Sequence, residues 1–134
     1  MRATFGISRC IVTRPFIRMV DLVGLYQLGT KSWHTPPFES IVFNTRDTGD
    51  NFNCYAHFEM AAGFSGNVEA LMNQSTMYIS VNGQEHSSKN SGWTYQNNIR
   101  VAAYPFPYLP PNQEVTVKLL RIVDKDGVVR WSNE

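Results

Sequence analysis

Few side chains in this 134-residue chain stand in a pattern that reaction chemistry requires. The histidines are His34, His57 and His86, and the cysteines are Cys10 and Cys54. His57 and Glu59 share one face if their segment is a strand, which orients an imidazole for proton transfer. Cys54 then points to the opposite face from His57. Cys54-x-x-His57 is therefore a poor metal pair, and no second ligand pair at zinc spacing accompanies it. Gly63-Phe-Ser-Gly66 is not the Gly-x-Ser-x-Gly elbow, and it lacks the strand-to-helix context that an elbow needs. The stretch Asn44, Asp47, Asp50, Asn51 and Asn53 is rich in calcium-type oxygen donors but has no EF-hand spacing. A polar turn has the same composition with or without a metal. No catalytic residue, metal site or cofactor is assigned, and His57 with Glu59 is read as a solvated pair on a sheet face.

The aromatic residues offer a better candidate. Trp93, Tyr95, Tyr104, Phe106 and Tyr108 fall within sixteen positions, three of them around a proline-rich turn. Flat rings beside Asn and Gln stack on sugars and also anchor protein interfaces. Trp93, Tyr95, Tyr104 and Tyr108 are the candidate ligand-binding residues. The competing reading puts Trp93 and Phe106 in the core and leaves the tyrosines at a rim.

The elements that must position these side chains are strands. Phe52-Asn-Cys-Tyr-Ala-His-Phe-Glu-Met60 alternates with a period of two. Phe52, Cys54, Ala56, Phe58 and Met60 share an apolar face, and Asn53, Tyr55, His57 and Glu59 occupy the other. Thr76-Met-Tyr-Ile-Ser-Val81 alternates likewise and ends in Asn82-Gly83, a strong hairpin signal, with Gln84 to Ser88 as the return strand. Phe38–Phe43, Trp93–Tyr95, Asn98–Tyr104, Glu114–Val123 and Val128–Trp131 complete the set, with turns at Lys89–Gly92, Pro105–Pro111 and Asp124–Gly127. Val20 to Leu28 reads as a short helix or a strand, with Gly24 weakening both. Gly29 to Pro37 reads as loop, and Asn67 to Met72 as either one helical turn capped by Asn67 or a loop. Six to eight short strands punctuated about every ten residues predict an all-β fold, an antiparallel β-sandwich of jelly-roll type.

Composition agrees with one globular domain over residues 1–134. The chain is 43% hydrophobic and 17% charged, with a formal charge of +1. Arg2, Arg9, Arg14 and Arg18 make residues 1–18 basic, whereas residues 19–134 hold eight basic and eleven acidic side chains. This basic segment reads as a presequence, as an arm for an acidic partner, or as a first strand with solvated arginines. Four arginines are thin for a nucleic-acid arm, whose affinity grows with each phosphate neutralised. No window reaches the length of a membrane span, and arginines interrupt any secretory h-region. Cys10 and Cys54 allow one bridge without requiring it.

Phe52-Asn-Cys-Tyr-Ala-His-Phe58, Met77-Tyr-Ile-Ser-Val-Asn-Gly83 and Leu109-Pro-Pro-Asn-Gln-Glu-Val-Thr-Val-Lys-Leu119 follow in an order that resembles the C1q/TNF-like jelly roll. The resemblance covers about half the chain. Asn112-Gln113 stands where the family has Gly-Asp, and the Asp124-to-Trp131 hairpin replaces its closing aromatic strand. The resemblance implies a homo-oligomer, a trimer in that family, used for binding or display in extracellular recognition heads or on virus and phage particles. The function expected is accordingly a non-catalytic structural or receptor-binding module with a protein or glycan receptor. The alternative is a carbohydrate-binding module that uses the aromatics named above.

Overall fold

The computed structural model describes residues 18–133. Cys10 and the arginines at 2, 9 and 14 lie outside the described residues, and with them the expectations of a bridge and of a basic arm. The strands are β1 (Val20–Gln27), β2 (Ser32–His34), β3 (Ile41–Asn44), β4 (Phe52–Met60), β5 (Thr76–Val81), β6 (Gln84–Lys89), β7 (Gly92–Gln96), β8 (Ile99–Phe106), β9 (Glu114–Val123) and β10 (Val129–Ser132). One short helix, α1 (Val68–Met72), separates β4 from β5. The first sheet runs β2-β1-β4-β8-β7. The second runs β10-β9-β5-β6, with β3 beside β9, and every pairing is antiparallel.

The alternation of apolar residues explains how the sheets meet. From β4, Phe52, Cys54 and Ala56 are fully buried and Phe58 nearly so. They face Met77, Ile79 and Val81 of β5 and Val115, Val117 and Leu119 of β9 in one continuous core. Burial of this kind contributes about 25 cal/mol per Å² of apolar surface, so the inner faces dominate the stability. The molecule is an all-β antiparallel sandwich, as its periodicity predicts. Burial pushes the Cys54 thiol well above its ordinary value, and the thiol is free and lies against Met77 Sδ at 3.4 Å.

The described residues form ten strands, and two details depart from the sequence reading. Ser32–His34 forms β2 inside the expected loop, because Leu25, Tyr26 and Gln27 offer it a register. The second departure lies at Asn97 and Asn98, which adopt φ of 51° and 65°. They form a two-residue turn that joins β7 to β8 as a hairpin, rather than opening a strand at Asn98. The Asn82-Gly83 turn is as expected, with φ of 50° and 86°. Asn82 also reaches across to β9, donating from its backbone to the Thr116 carbonyl (2.9 Å) and accepting the Thr116 amide on its side chain (2.8 Å). Of the alternatives for residues 20–28 and 67–72, the chain takes a strand and a helical turn. The Asn67 side chain caps the latter by accepting the Ala70 amide at 3.1 Å. β8 continues through Pro105, which pairs with Asn53, so the proline-rich turn begins later than its first proline. β3 begins at Ile41, and Phe38 instead turns into the core, edge-on to Trp131 at 5.5 Å.

The β9–β10 turn is held by a buried carboxylate. Asp124 accepts the Asp126 amide (2.8 Å), the Val128 amide (3.0 Å) and the Arg130 guanidinium (2.8 Å). Burial opposes its ionisation, but these donors together outweigh that cost and hold its pKa below the ordinary value. Such a carboxyl adds stability above its unfolded pKa of about 3.9, and that stability is lost as pH falls through the lower folded value. Asp124→Ala strands three donors and is expected to cost about 3 kcal/mol. A urea titration at neutral pH measures this, and the difference from wild type should shrink once the pH is lowered below about 4.

Candidate functional site

The outward face of the first sheet carries the most unusual surface of the described residues. Pairing aligns Trp33, Tyr26, Tyr55, Ala103 and Gly92 in one row across all five strands. Tyr26 meets the Trp33 ring edge-on at 5.3 Å and lies 6.5 Å from the Tyr55 ring. The neighbouring row pairs Gly24 with His57 and Val101 with Thr94. Local sequence makes this possible. A bulge between Leu22 and Gly24 restores the register of β1, and a Cβ at Gly24 would stand 3.2 Å from the Trp33 ring. The row thus has three aromatic side chains at one side and Ala103 and Gly92 at the other. Tyr26 and Val101 are buried while Trp33, Tyr55 and Ala103 are half-buried.

The four aromatic residues singled out in the sequence do not come together. Tyr104 is fully buried, its hydroxyl 2.6 Å from that of Ser75, and burial raises its pKa despite that bond. It therefore has no face to offer a ligand. The reason is its register: Tyr104 pairs with Cys54 and shares the inward side of the sheet. Trp93 packs against the core, and its indole N–H is buried with no hydrogen-bond partner. Tyr95 is exposed, with Arg100 stacked 4.9 Å from its ring centre. Tyr108, 87% exposed, follows the far end of β8. Tyr95 pairs with Arg100, so six strand rises, roughly 20 Å, separate its place on β8 from Phe106 and the Tyr108 loop.

His57 Nε2 and Glu59 Oε2 are 3.3 Å apart on the outer face, as their spacing implied. His34 stands on β2 with its Nε2 3.2 Å from the Ser32 hydroxyl, and burial lowers its pKa. In the oxygen-rich loop, the Asp50 carboxylate accepts Arg46 Nε at 2.7 Å and the Arg46 amide at 3.0 Å. That carboxylate is already engaged, and among the described residues no group of three His, Cys, Asp or Glu side chains is placed to hold a metal ion.

Sequence reasoning missed Tyr26, Trp33 and Tyr55 as a group. Tyr55 was visible on the non-core face of β4. Its partners lie in a segment of ambiguous period and in an expected loop, so only the strand register unites them. The buried and exposed tyrosines should separate cleanly by thermal denaturation. Tyr104→Phe removes one buried hydrogen bond and is expected to cost about 1 kcal/mol. Tyr108→Ala should stay within about 0.5 kcal/mol of wild type.

Comparison of the chain with protein-family models, with curated proteins and with solved structures returns no match.

Proposed function

We propose that this chain is a non-catalytic structural or receptor-binding module that works as a homo-oligomer. Its copies meet through the outer face of the β2-β1-β4-β8-β7 sheet. The observation that carries this reading is the row Trp33, Tyr26, Tyr55, Ala103 and Gly92, in which bulky rings and small residues lie side by side. The same patch on a second copy supplies both halves, so the rings of one subunit can settle on the small residues of another. Aromatic residues are enriched in the centres of such interfaces, where they exclude water.

One sheet edge among the described residues, β6, favours a contact through the face over strand addition. The free edge strand β6 presents Glu85, His86 and Lys89 among exposed polar residues, and charge on an edge discourages pairing with another chain. Trimeric order rests on the resemblance to C1q/TNF-like heads. With it comes a display or receptor-binding role, such as that of a component of a virus or phage particle. The receptor in that role is a protein or a glycan.

Light scattering coupled to size exclusion at micromolar concentration tests the proposal. The wild type is expected to run as an oligomer, and Tyr55→Glu, which sets a charge in the middle of the row, as a folded monomer. A wild type that stays monomeric at roughly 100 µM ends the reading, because that implies a self-association Kd well above about 100 µM.

A further inference from the structure

The inner side of the β1–β2 hairpin carries a chain of side-chain hydrogen bonds that ends on a titratable group. Gln27 Oε1 accepts the Thr30 backbone amide at 2.8 Å and also the Thr30 hydroxyl. That hydroxyl lies 2.6 Å from the Ser32 hydroxyl, which in turn lies 3.2 Å from His34 Nε2. The direction of every bond is forced. A carbonyl oxygen only accepts, so Thr30 gives its one hydroxyl proton to Gln27 and must accept from Ser32. Ser32 has then used its own proton and must accept from His34. The neutral imidazole therefore carries its proton on Nε2, and acid adds the second at Nδ1.

That second proton is poorly placed. Trp33 faces outward in the aromatic row, so the alternation of β2 turns Ser32 and His34 inward, with His34 opposite the buried Leu25. β1 is the strand that pairs with β2, and the side chains it presents on that side, Leu25 and Gln27, carry no charge. Burial, with no charged neighbour contributing, lowers the His34 pKa. The relay survives protonation, since Nε2 still donates to Ser32. The cost is a half-buried charge with no acid to match it. β2 has three residues and one neighbouring strand, the kind of edge element that opens without the rest of the fold.

From this arrangement we infer that β2 is an acid-sensitive clasp: proton uptake by His34 favours an open form in which β2 leaves β1 and takes Trp33 out of the aromatic row. In the open form the imidazole is solvated and titrates at about 6.5. Protons bind that form better, so the closed form loses ground as pH falls below this value, until it passes the lower midpoint of the closed form. In acid, each pH unit between the two midpoints multiplies the open-to-closed ratio about tenfold. The bearing of this on self-association rests on the homo-oligomer reading, whereas the opening of β2 does not.

The test uses the ¹⁵N-labelled full chain, with long-range ¹H–¹⁵N spectra of the imidazoles and amide hydrogen exchange at about pH 7.5 and about pH 5, on either side of the free histidine value. The spectra are expected to show His34 in the Nε2–H form, with a midpoint below about 6.5. After correction for intrinsic exchange rates, protection of the β1–β2 ladder amides should fall in acid, about tenfold for each unit of that displacement. The β4–β8 ladder should keep its protection. His34→Phe, which keeps a ring and removes the titration, should abolish the acid effect, and His57→Gln should retain it. The inference is overturned by an Nδ1–H form, by a midpoint at or above about 6.5, by protection that does not change with pH, or by the same loss in His34→Phe. Light scattering on the same samples separates any of these results from a failure to associate.

Discussion

Strand β9 takes three partners at once, and the rest of the second sheet depends on satisfying both of its edges. One edge pairs with β5 from Val117 to Val123. The other is shared: β3 covers Glu114 to Val117, and β10 covers Arg121 to Val123. Between those two short strands the carbonyls of Leu119 and Leu120 would face a gap. Asn133 closes it, with its side chain donating to Leu119 (3.2 Å) and to the Phe38 carbonyl (2.9 Å), and its backbone to Leu120 (2.8 Å). Backbone groups in a sheet must be paired or solvated, so one asparagine ties Phe38 and the end of the described chain to the middle of the sheet.

With β9 fixed, the inward faces of the two sheets follow. Val115, Val117 and Leu119 point at the strands of the first sheet, and the Asp124 turn folds β10 back so that Trp131 can cover Phe38. Capping the sandwich this way leaves the outer face of the first sheet and the loop end at Gln27. The outer sheet face is broad and has rings at one side. The loop end is small, polar and organised around Gln27.

The strength of each sequence signal tracked how local its physics was. β4 was legible residue by residue, because its even positions are apolar and its odd positions polar over nine residues. The Asn82-Gly83 hairpin depends on neighbours within a few positions and was equally plain, whereas the Asn67 cap was one of two readings until the helical turn formed. β2 was not, since three residues with no alternation become a strand only when β1 lends its edge. The Asn97-Asn98 turn was obscured by the β-branched and apolar run that follows it. Of the tyrosines singled out in the sequence, Tyr104 is inside, while Tyr95 and Tyr108 are exposed near opposite ends of β8.

Sequence by itself determined that this chain is built of antiparallel strands, because period-two alternation and turn chemistry act within a few residues. It also determined the inward face of each clear strand. Only the tertiary structure decided which outward-facing residues stand together. Trp33, Tyr26, Tyr55, Ala103 and Gly92 are drawn from five strands, and their alignment is a property of register across the sheet. Gln27 illustrates the same point in the core: nothing about a glutamine at the end of a strand announces burial without a partner. That follows from Thr30 holding one end of its amide while the fold closes around the other.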